Sequence, residues 1–321
     1  MNGGGKVQVH QMVRKYLIPV ACWLIIPACL GAPGSSAKAK SDRVDQQRHH
    51  ECLQQAEAGD AHAMATLGTI YAEGSGVPTD LATSFQWFRK AALAGASEAY
   101  SNLAFCYATG TGTVANAELA IQWYEKAADL GDFQALFHMA LVIENMGGPE
   151  NEGRAFDLYT KAADLGCADA YNRLGAFWLS GFVVPADAAK AMECFTNAAN
   201  GGNRDAFFNL ALLYERGEGT LEDQSMAVQN YKRAAGLGHR NATVALGFKY
   251  SLGEGIPEDL VEGCAWLCIA ARLGEPAASK GLNLVKARLS EDQLEASMRR
   301  YRQIIQDFKL AAGESTPSGG S

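Results

Sequence analysis

The sequence predicts an all-α fold, a solenoid of stacked helix pairs, and three repeated features predict it. Seven glycines recur every 35 or 36 residues, a pair of adjacent alanines recurs at the same interval, and a short side chain suited to helix capping recurs between them. The glycines are Gly59, Gly95, Gly131, Gly166, Gly202, Gly238 and Gly274. A fixed period of this length is typical of stacked repeat units, which usually present an extended surface rather than one deep pocket.

Each period contains two predicted helices, as the first repeat illustrates. Its first helix carries apolar residues at helical spacing, among them Leu67 and Ile70, and it is broken by Gly74-Ser75-Gly76-Val77-Pro78. Asp80 is placed to cap the second helix, because its carboxylate can accept free backbone N–H groups. Gly95 is placed to end that helix in the left-handed conformation.

The same positions recur in all six repeats. The predicted N-caps are Asp80, Asn116, Asn151, Asp187, Asp223 and Asp259. The alanine pairs begin at Ala91, Ala127, Ala162, Ala198, Ala234 and Ala270, where small side chains let neighbouring helices approach closely. The third repeat is one residue shorter and the fourth lacks the second loop glycine, so altered turns are expected in both.

Two stretches carry a recognisable motif most clearly. They are Tyr71-Ala72-Glu73-Gly74-Ser75-Gly76-Val77 and Trp123-Tyr124-Glu125-Lys126-Ala127-Ala128-Asp129-Leu130-Gly131. The motif resembles the Sel-1-like repeat (SLR) family, a relative of the tetratricopeptide repeats, and the resemblance covers residues 59–274 as six SLR units of about 36 residues. It implies antiparallel helix pairs stacked into a right-handed superhelix and adaptor work in protein assemblies, without a chemical activity.

The segments beside the repeats are predicted to be caps and a tail. Residues 43–58 align with a second helix alone, so they are expected to cover the first repeat. Residues 275–310 are predicted to form C-terminal capping helices, the first over 277–288 and the second opened by the capping box Ser290-Glu291-Asp292-Gln293. Residues 311–321 have the composition of a disordered tail.

Residues 1–39 read as a signal peptide, with Met12 as an alternative start. A basic stretch, Val13-Arg14-Lys15, precedes 15 uncharged residues from Tyr16, and small residues follow with expected cleavage after Ala32 or Ala39. The apolar run is shorter than the about 20 residues of a membrane-spanning helix. The predicted localisation is therefore periplasmic or secreted. An uncleaved leader acting as membrane anchor is the alternative, and we expect membrane contact only through such a leader or through a partner.

The charge balance argues against a nucleic-acid partner. The formal net charge is −7, and without residues 1–39 the chain keeps 24 basic and 35 acidic side chains. Binding to phosphate backbones needs clustered Lys and Arg, and no basic run occurs along the repeats.

The sequence predicts no catalytic residue, no metal site and no cofactor. His49-His50-Glu51-Cys52 is the one cluster of metal-ligating residue types, and adjacent histidines on a helix point about 100° apart and do not converge. The cysteines show neither a C-x-x-C motif nor zinc-site spacing. The loop glycine pairs lie between helices rather than after a strand, as a phosphate-binding loop would.

A partner-binding groove on the concave face is the predicted functional site. In the first helix of each repeat, one mostly polar position should lie beside the buried apolar face of the helix. Three residues later in the sequence comes a mostly apolar position. We call each such set of aligned positions a column. Amide and guanidinium groups there could hold the backbone of an extended protein or peptide segment, and by resemblance tetratricopeptide grooves use Asn and Arg in this way. The candidates are Thr66, Asn102, Phe105, His138, Arg173, Asn209 and Arg216. The alternative is an ordinary surface, with Phe105, Leu141, Leu212 and Phe248 buried against neighbouring repeats.

Three functions remain open from the sequence. The first is an exported adaptor without catalytic activity, regulatory or engaged in host interaction. The second is a cell-wall-associated or β-lactamase-like SLR protein. Relatives of that kind carry paired cysteines in each repeat, whereas the junction Ala127-Ala128-Asp129-Leu130-Gly131 has none, so the cysteine pattern argues against it. The third is a periplasmic regulator that restrains a membrane sensor, which differs from the first only in its partner.

Overall fold

A computed structural model describes residues 35–308, with side chains from residue 44 onwards. The leader segment 1–34 and the chain from residue 309, including the predicted tail 311–321, lie outside the described residues. Within 35–308 the chain forms helices and turns and no strand, which confirms the all-α prediction. The chain divides between Cys167 and Ala168 into two compact units, and each unit is described by itself.

Both units consist of consecutive helices joined by short turns. In the first unit these are α1 (Ser35–Glu57), α2 (Ala61–Glu73), α3 (Leu81–Leu93), a 3₁₀ turn (Ser97–Ala99) leading into α4 (Tyr100–Thr109), α5 (Ala117–Asp129), α6 (Phe133–Met146) and α7 (Pro149–Asp164). In the second unit they are α8 (Ala168–Ser180), α9 (Ala188–Asn200), α10 (Arg204–Arg216), α11 (Gln224–Gly236), α12 (Arg240–Leu252), α13 (Leu260–Arg272), α14 (Pro276–Lys286) and α15 (Glu291–Asp307). Each repeat has an A helix (α2, α4, α6, α8, α10, α12) followed by a B helix (α3, α5, α7, α9, α11, α13).

The A and B helices of a repeat pack through a small residue that faces a large one. A Cβ atom on Gly68 would lie 2.5 Å from the ring of Phe88, so the glycine makes room for that ring. Gly175 does the same for Phe195, at 2.6 Å. Where the A helix has alanine instead, as at Ala104, the aligned B-helix residue is a tyrosine. The first alanine of every alanine pair is buried, as close helix packing requires.

The seven glycines that recur every 35 or 36 residues are here called the joint glycines. They are required by the backbone conformation rather than by side-chain packing. Their φ angles lie between 82° and 98°, a region that residues with a side chain rarely adopt. A Cβ atom would meet no other atom within 4 Å at any of them. The predicted role of these glycines at the end of each repeat is therefore confirmed, and its cause is conformational.

Five of the six predicted N-caps are confirmed and one is wrong. Asn116 shows the confirmed geometry, because its Oδ1 accepts the backbone N–H of Leu119 at 2.9 Å. In the third repeat the helix begins two residues before Asn151, at Pro149, whose ring favours the first helical position. Asn151 therefore lies inside α7, where its Nδ2 donates to the carbonyl oxygen of Gly147 at 2.8 Å. The other confirmed caps are Asp80, Asp187, Asp223 and Asp259.

This difference predicts that two matched substitutions in the first unit change the free energy of unfolding by different amounts. Asn116→Ala should lower the free energy of unfolding by about 1 kcal/mol, because it removes a helix cap. Asn151→Ala should change it by less than about 0.5 kcal/mol, because the helix propensity of alanine offsets one exchanged hydrogen bond. Urea unfolding of the two variants measures both values. Equal losses would contradict the assignment of the helix start.

The second loop glycine of a repeat lies against the first turn of the preceding B helix. A Cβ atom on Gly112 would be 2.0 Å from the carbonyl oxygen of Leu81, which lies 31 residues earlier. A Cβ atom on Gly76 would be 2.5 Å from the carbonyl carbon of Asp45, at the same separation in sequence. Helix α1 thus takes the place of a B helix in front of the first A helix. It begins at Ser35, eight residues before the predicted start at residue 43.

The C-terminal helices close the second unit. The predicted capping box is present: Ser290 Oγ accepts the N–H of Gln293 at 3.3 Å, and Gln293 Oε1 accepts the N–H of Ser290 at 3.0 Å. Arg300 on α15 forms a two-pronged ion pair with Glu262 on α13, at 2.5 and 3.1 Å. Trp266 donates to the same carboxylate at 3.0 Å. The bonds from Arg300 fasten α15 to the last B helix. Among residues 35–308, no helix combines the length and the apolar character that crossing a bilayer requires.

Candidate partner-binding surface

All seven predicted site residues lie on A helices. In the first unit they are Thr66 on α2, Asn102 and Phe105 on α4, and His138 on α6. In the second unit they are Arg173 on α8 and Asn209 and Arg216 on α10.

In the first unit, polar side chains of α2 and α4 form a connected strip. Thr66 Oγ1 donates to the carbonyl oxygen of His62 at 3.1 Å, and the His62 imidazole pairs with the carboxylate of Glu98 in the next repeat. Asn102 is exposed, and its Nδ2 donates to the carbonyl oxygen of Glu98 at 3.2 Å. The pKa of Glu98 lies below its ordinary value, first because its carboxylate accepts a backbone N–H and then because of the bond with His62. The strip presents a carboxylate and amide groups to solvent.

The predicted apolar column is not uniform. Phe105 is half-buried, whereas Leu141 is only 9% exposed. In the second unit, Phe248 packs against α14, where a Cβ atom on Gly281 would lie 2.7 Å from its ring, and Leu212 packs against the core of the fifth and sixth repeats. Leu141 is therefore buried, whereas Leu212 and Phe248 are half-buried like Phe105 and pack partly against neighbouring helices. Phe105 keeps part of its ring surface available.

His138 packs on the core of its own unit. Its ring stacks on Tyr124, with centroids 5.8 Å apart and planes 24° apart, and Phe137 contacts it edge-on. Tyr124 is buried, and burial raises the pKa of its hydroxyl group, with further repulsion from Cys106 and Asp132. The half-buried imidazole thus has one face against the protein, which leaves it less free to contact a partner than Asn102.

In the second unit, amide side chains connect successive A helices. Asn209 Nδ2 donates to Oδ1 of Asn172 at 3.0 Å, which links α10 to α8. Asn203 Nδ2 donates to Oδ1 of Asp169 at 2.6 Å in the same direction. Arg216 is exposed at the end of α10, 3.7 Å from Glu218. Arg173 is half-buried on α8.

The sequence reasoning missed one column that contributes to these contacts. It lies in the first turn of each A helix and is polar in all six repeats, which is a signal that the 36-residue spacing makes visible. Its members are His62, Glu98, Gln134, Asp169, Asp205 and Asn241. Several of them bond to the neighbouring repeat, so the polar surface is wider than predicted.

The histidine, cysteine and acidic side chains of the described residues lie scattered along the repeats. Between residues 35 and 308, no group of three or more His, Cys, Asp or Glu side chains could hold a metal ion. Burial raises the pKa of Cys106 and Cys194 to about 11, so both thiols stay protonated at neutral pH. A hydrogen bond from Cys268 lowers the pKa of Cys264, but Cys264 has no exposed surface that a substrate could reach.

Repeated helix pairs that present polar A-helix surfaces define a helical-repeat scaffold. The chain belongs to the Sel1 repeat family, whose model matches residues 61–95, 97–132, 134–167, 168–203, 205–239 and 241–275. The predicted family and the predicted six repeats are thereby confirmed. Sel1-repeat proteins are generally protein-interaction scaffolds, and their fold is typically non-catalytic.

Two solved structures resemble this chain. One is a protective antigen present in uropathogenic Escherichia coli strains that displays an SLR fold, with a TM-score of 0.70 and 27% identity over 86% of this chain. This chain spans 62% of the length of that protein. The other is a Sel1 repeat protein from Oxalobacter formigenes, with a TM-score of 0.62, 31% identity, and coverage of 67% of this chain and 88% of that one. These likenesses confirm the predicted solenoid class. No curated protein matches the chain.

Proposed function

We propose that this chain is an exported adaptor without catalytic activity that binds an extended segment of a partner protein on its A-helix faces. The observation that carries the proposal is the strip of His62, Thr66, Glu98 and Asn102, which presents hydrogen-bonding groups beside the half-buried ring of Phe105. Amide groups can hold the backbone of an extended segment, and a partly exposed ring can hold one of its side chains.

Each of the two units presents candidate residues of its own. In the first unit Asn102 and Phe105 are available to a partner, while Thr66 bonds within α2 and His138 packs on Tyr124. In the second unit Asn209 and Arg216 present an amide and a guanidinium group, with Arg173 on the preceding A helix. Both carboxylates and basic groups occur along these faces, so the partner should be a mixed polar segment rather than a strongly charged one.

Export is the second part of the proposal, and the leader composition supports it. Cell fractionation followed by intact-mass measurement tests this directly. We expect a periplasmic or secreted protein that begins after Ala32 or Ala39, whereas a cytoplasmic protein that retains residues 1–39 would contradict export.

Partner binding is tested by paired alanine substitutions that remove one amide from each unit. The double variant Asn102→Ala/Asn209→Ala should bind the partner about 30-fold more weakly, because each lost amide contact is worth about 1 kcal/mol. The partner is first identified by crosslinking and affinity purification of the mature chain from its own host. Titration calorimetry with that partner then measures the change.

The matched control removes two exposed amides from B helices, Gln86→Ala/Gln229→Ala, and should leave the affinity unchanged. Circular dichroism establishes that both double variants keep their helical content, since Asn209 also bonds to Asn172. Equal affinities of the two double variants would refute binding on the A-helix faces.

The described residues do not support the β-lactamase-like alternative. Among them, no cysteine lies in a segment that runs from an alanine pair to the joint glycine that follows it. Purified protein should not hydrolyse nitrocefin, and turnover of nitrocefin would overturn the non-catalytic assignment.

A further inference from the structure

His239 lies at the joint between the fifth and sixth repeats and contacts helices of both. It follows Gly238 after the end of α11, and its backbone N–H donates to the carbonyl oxygen of Ala234 at 2.9 Å. Its ring stacks on Phe208 of α10, with centroids 4.3 Å apart and planes 19° apart. Only 8% of the residue is exposed. The backbone and side chain of one residue therefore connect α10, α11 and the start of α12.

The imidazole is also the N-cap of α12, and this defines its protonation state. Its Nδ1 accepts the backbone N–H of Ala242 at 3.1 Å. A ring nitrogen accepts a hydrogen bond only when it carries no proton, so the ring is neutral with its proton on Nε2. Asp60, Asp132 and Asn203 cap other A helices with oxygen atoms that remain acceptors at mildly acidic pH. His239 loses its acceptor when it takes up a proton.

The charged groups that face this ring lie on α10. Asp205 Oδ1 is 3.7 Å from Nε2 of His239, and Nε of Arg204 is 3.4 Å from the same oxygen. That oxygen is shielded from solvent and has no hydrogen-bond partner among the described residues. On α11 and α12 the basic residues nearest in sequence, Arg233 and Arg240, are exposed.

Burial and these charged groups shift the pKa of His239 in opposite directions. Burial is the largest effect and disfavours the imidazolium, Asp205 favours it, and Arg204 disfavours it. Burial outweighs the attraction to Asp205 and lowers the pKa of His239 to about 4. The neutral ring is therefore the form that the folded joint stabilises.

We propose that His239 makes the joint between the fifth and sixth repeats acid-sensitive. Protonation removes the cap of α12 and places a positive charge in a buried position against Phe208. Helix α12 and the helices that follow it then loosen from α10 and α11. This inference is independent of the proposed partner binding, since it concerns the stability of the joint itself.

The direction of the pH effect follows from the two protonation equilibria. The pKa of His239 is about 4 in the folded chain and 6.5 in the unfolded chain. The stabilising contribution of the neutral ring is therefore complete above about pH 6.5, is lost as the pH falls through about 4, and does not change further well below that pH. The full difference between the folded and unfolded pKa values corresponds to a change of about 300-fold in the equilibrium constant for unfolding.

The test compares the full chain with the variant His239→Asn, which keeps an oxygen acceptor like that of Asn203 and cannot titrate in this range. Urea unfolding at pH 7.5 and pH 4 gives the unfolding constant of each protein. Between these pH values the constant of the original chain should rise about 150-fold more than that of the variant, because the ring of the folded chain is half protonated at pH 4. The same pH dependence in both proteins would overturn the proposal.

A second measurement needs no variant and therefore does not depend on its folding. NMR titration of the imidazole should show a midpoint below pH 5 and a proton on Nε2 at neutral pH. A midpoint near pH 6.5, or a proton on Nδ1, would overturn the proposal even if the variant fails to fold.

Discussion

Replacing Gly112 by alanine is expected to lower the free energy of unfolding of the first unit by about 2–5 kcal/mol. The new Cβ atom would lie 2.0 Å from the carbonyl oxygen of Leu81 and 2.6 Å from its carbonyl carbon. Both are backbone atoms, so neither can rotate away as a side chain could. In addition, φ at this position is +71°, which costs a residue with a side chain about 1–2 kcal/mol. The contact between the loop and the preceding B helix should therefore open.

The matched control is Gly131→Ala in the same unit. Its φ of +90° is equally unfavourable for alanine, but a Cβ atom there would meet nothing within 4 Å. We expect a loss of about 1–2 kcal/mol from the backbone alone. Urea unfolding of both variants compares the two values. If Gly131→Ala costs as much as Gly112→Ala, the loop glycines do not act through contact with the preceding B helix.

Replacing Glu215 by alanine is expected to destabilise the second unit by about 2–3 kcal/mol, because it leaves a buried charge without its main partner. Lys249 is only 5% exposed, and its Nζ lies 2.6 Å from Oε1 of Glu215. Tyr231 donates to the other carboxylate oxygen at 2.8 Å. Burial raises the pKa of Glu215, but the bonds from Lys249 and Tyr231 outweigh it and hold this pKa below its ordinary value. The carboxylate is therefore charged at neutral pH and pairs with the ammonium group.

The second substitution in this test is Lys249→Met. The aligned positions in three other repeats hold Ile70, Cys106 and Leu213, so an apolar side chain fits here. The double variant Glu215→Ala/Lys249→Met should recover most of the lost stability, because the unpaired charge is gone. Thermal and urea unfolding of the single and double variants measure this recovery. A double variant as unstable as Glu215→Ala would show that the buried charge is not the cause.

The sequence predicted those parts of the fold that depend on local chemistry. The role of a joint glycine depends only on its own φ, and the role of an alanine pair depends only on its small side chains. The role of a cap such as Asn116 depends only on the next few residues. Each can therefore be assigned from a short stretch that repeats. Asn151 was misassigned because α7 begins at Pro149, two residues before the aligned cap position, a shift that the pattern of the other repeats conceals.

The candidate surface was predicted less completely, because it depends on contacts between repeats. The placement of Asn102 and Asn209 on A helices followed from the period. The bond from Asn209 to Asn172 and the pairing of His62 with Glu98 join residues more than 30 positions apart, and only the packed helices reveal them. The contact of Phe248 with α14 likewise depends on a helix outside the repeats.

Site-specific photo-crosslinking in the original host tests the central claim most directly. A photoreactive phenylalanine analogue replaces Asn102 on α4 in one strain and Gln86 on α3 in the other, two exposed positions in the same unit. Adaptor binding on the A-helix faces predicts one defined protein crosslinked from position 102 and none from position 86. Crosslinking of that protein from position 86, with none from position 102, would contradict it.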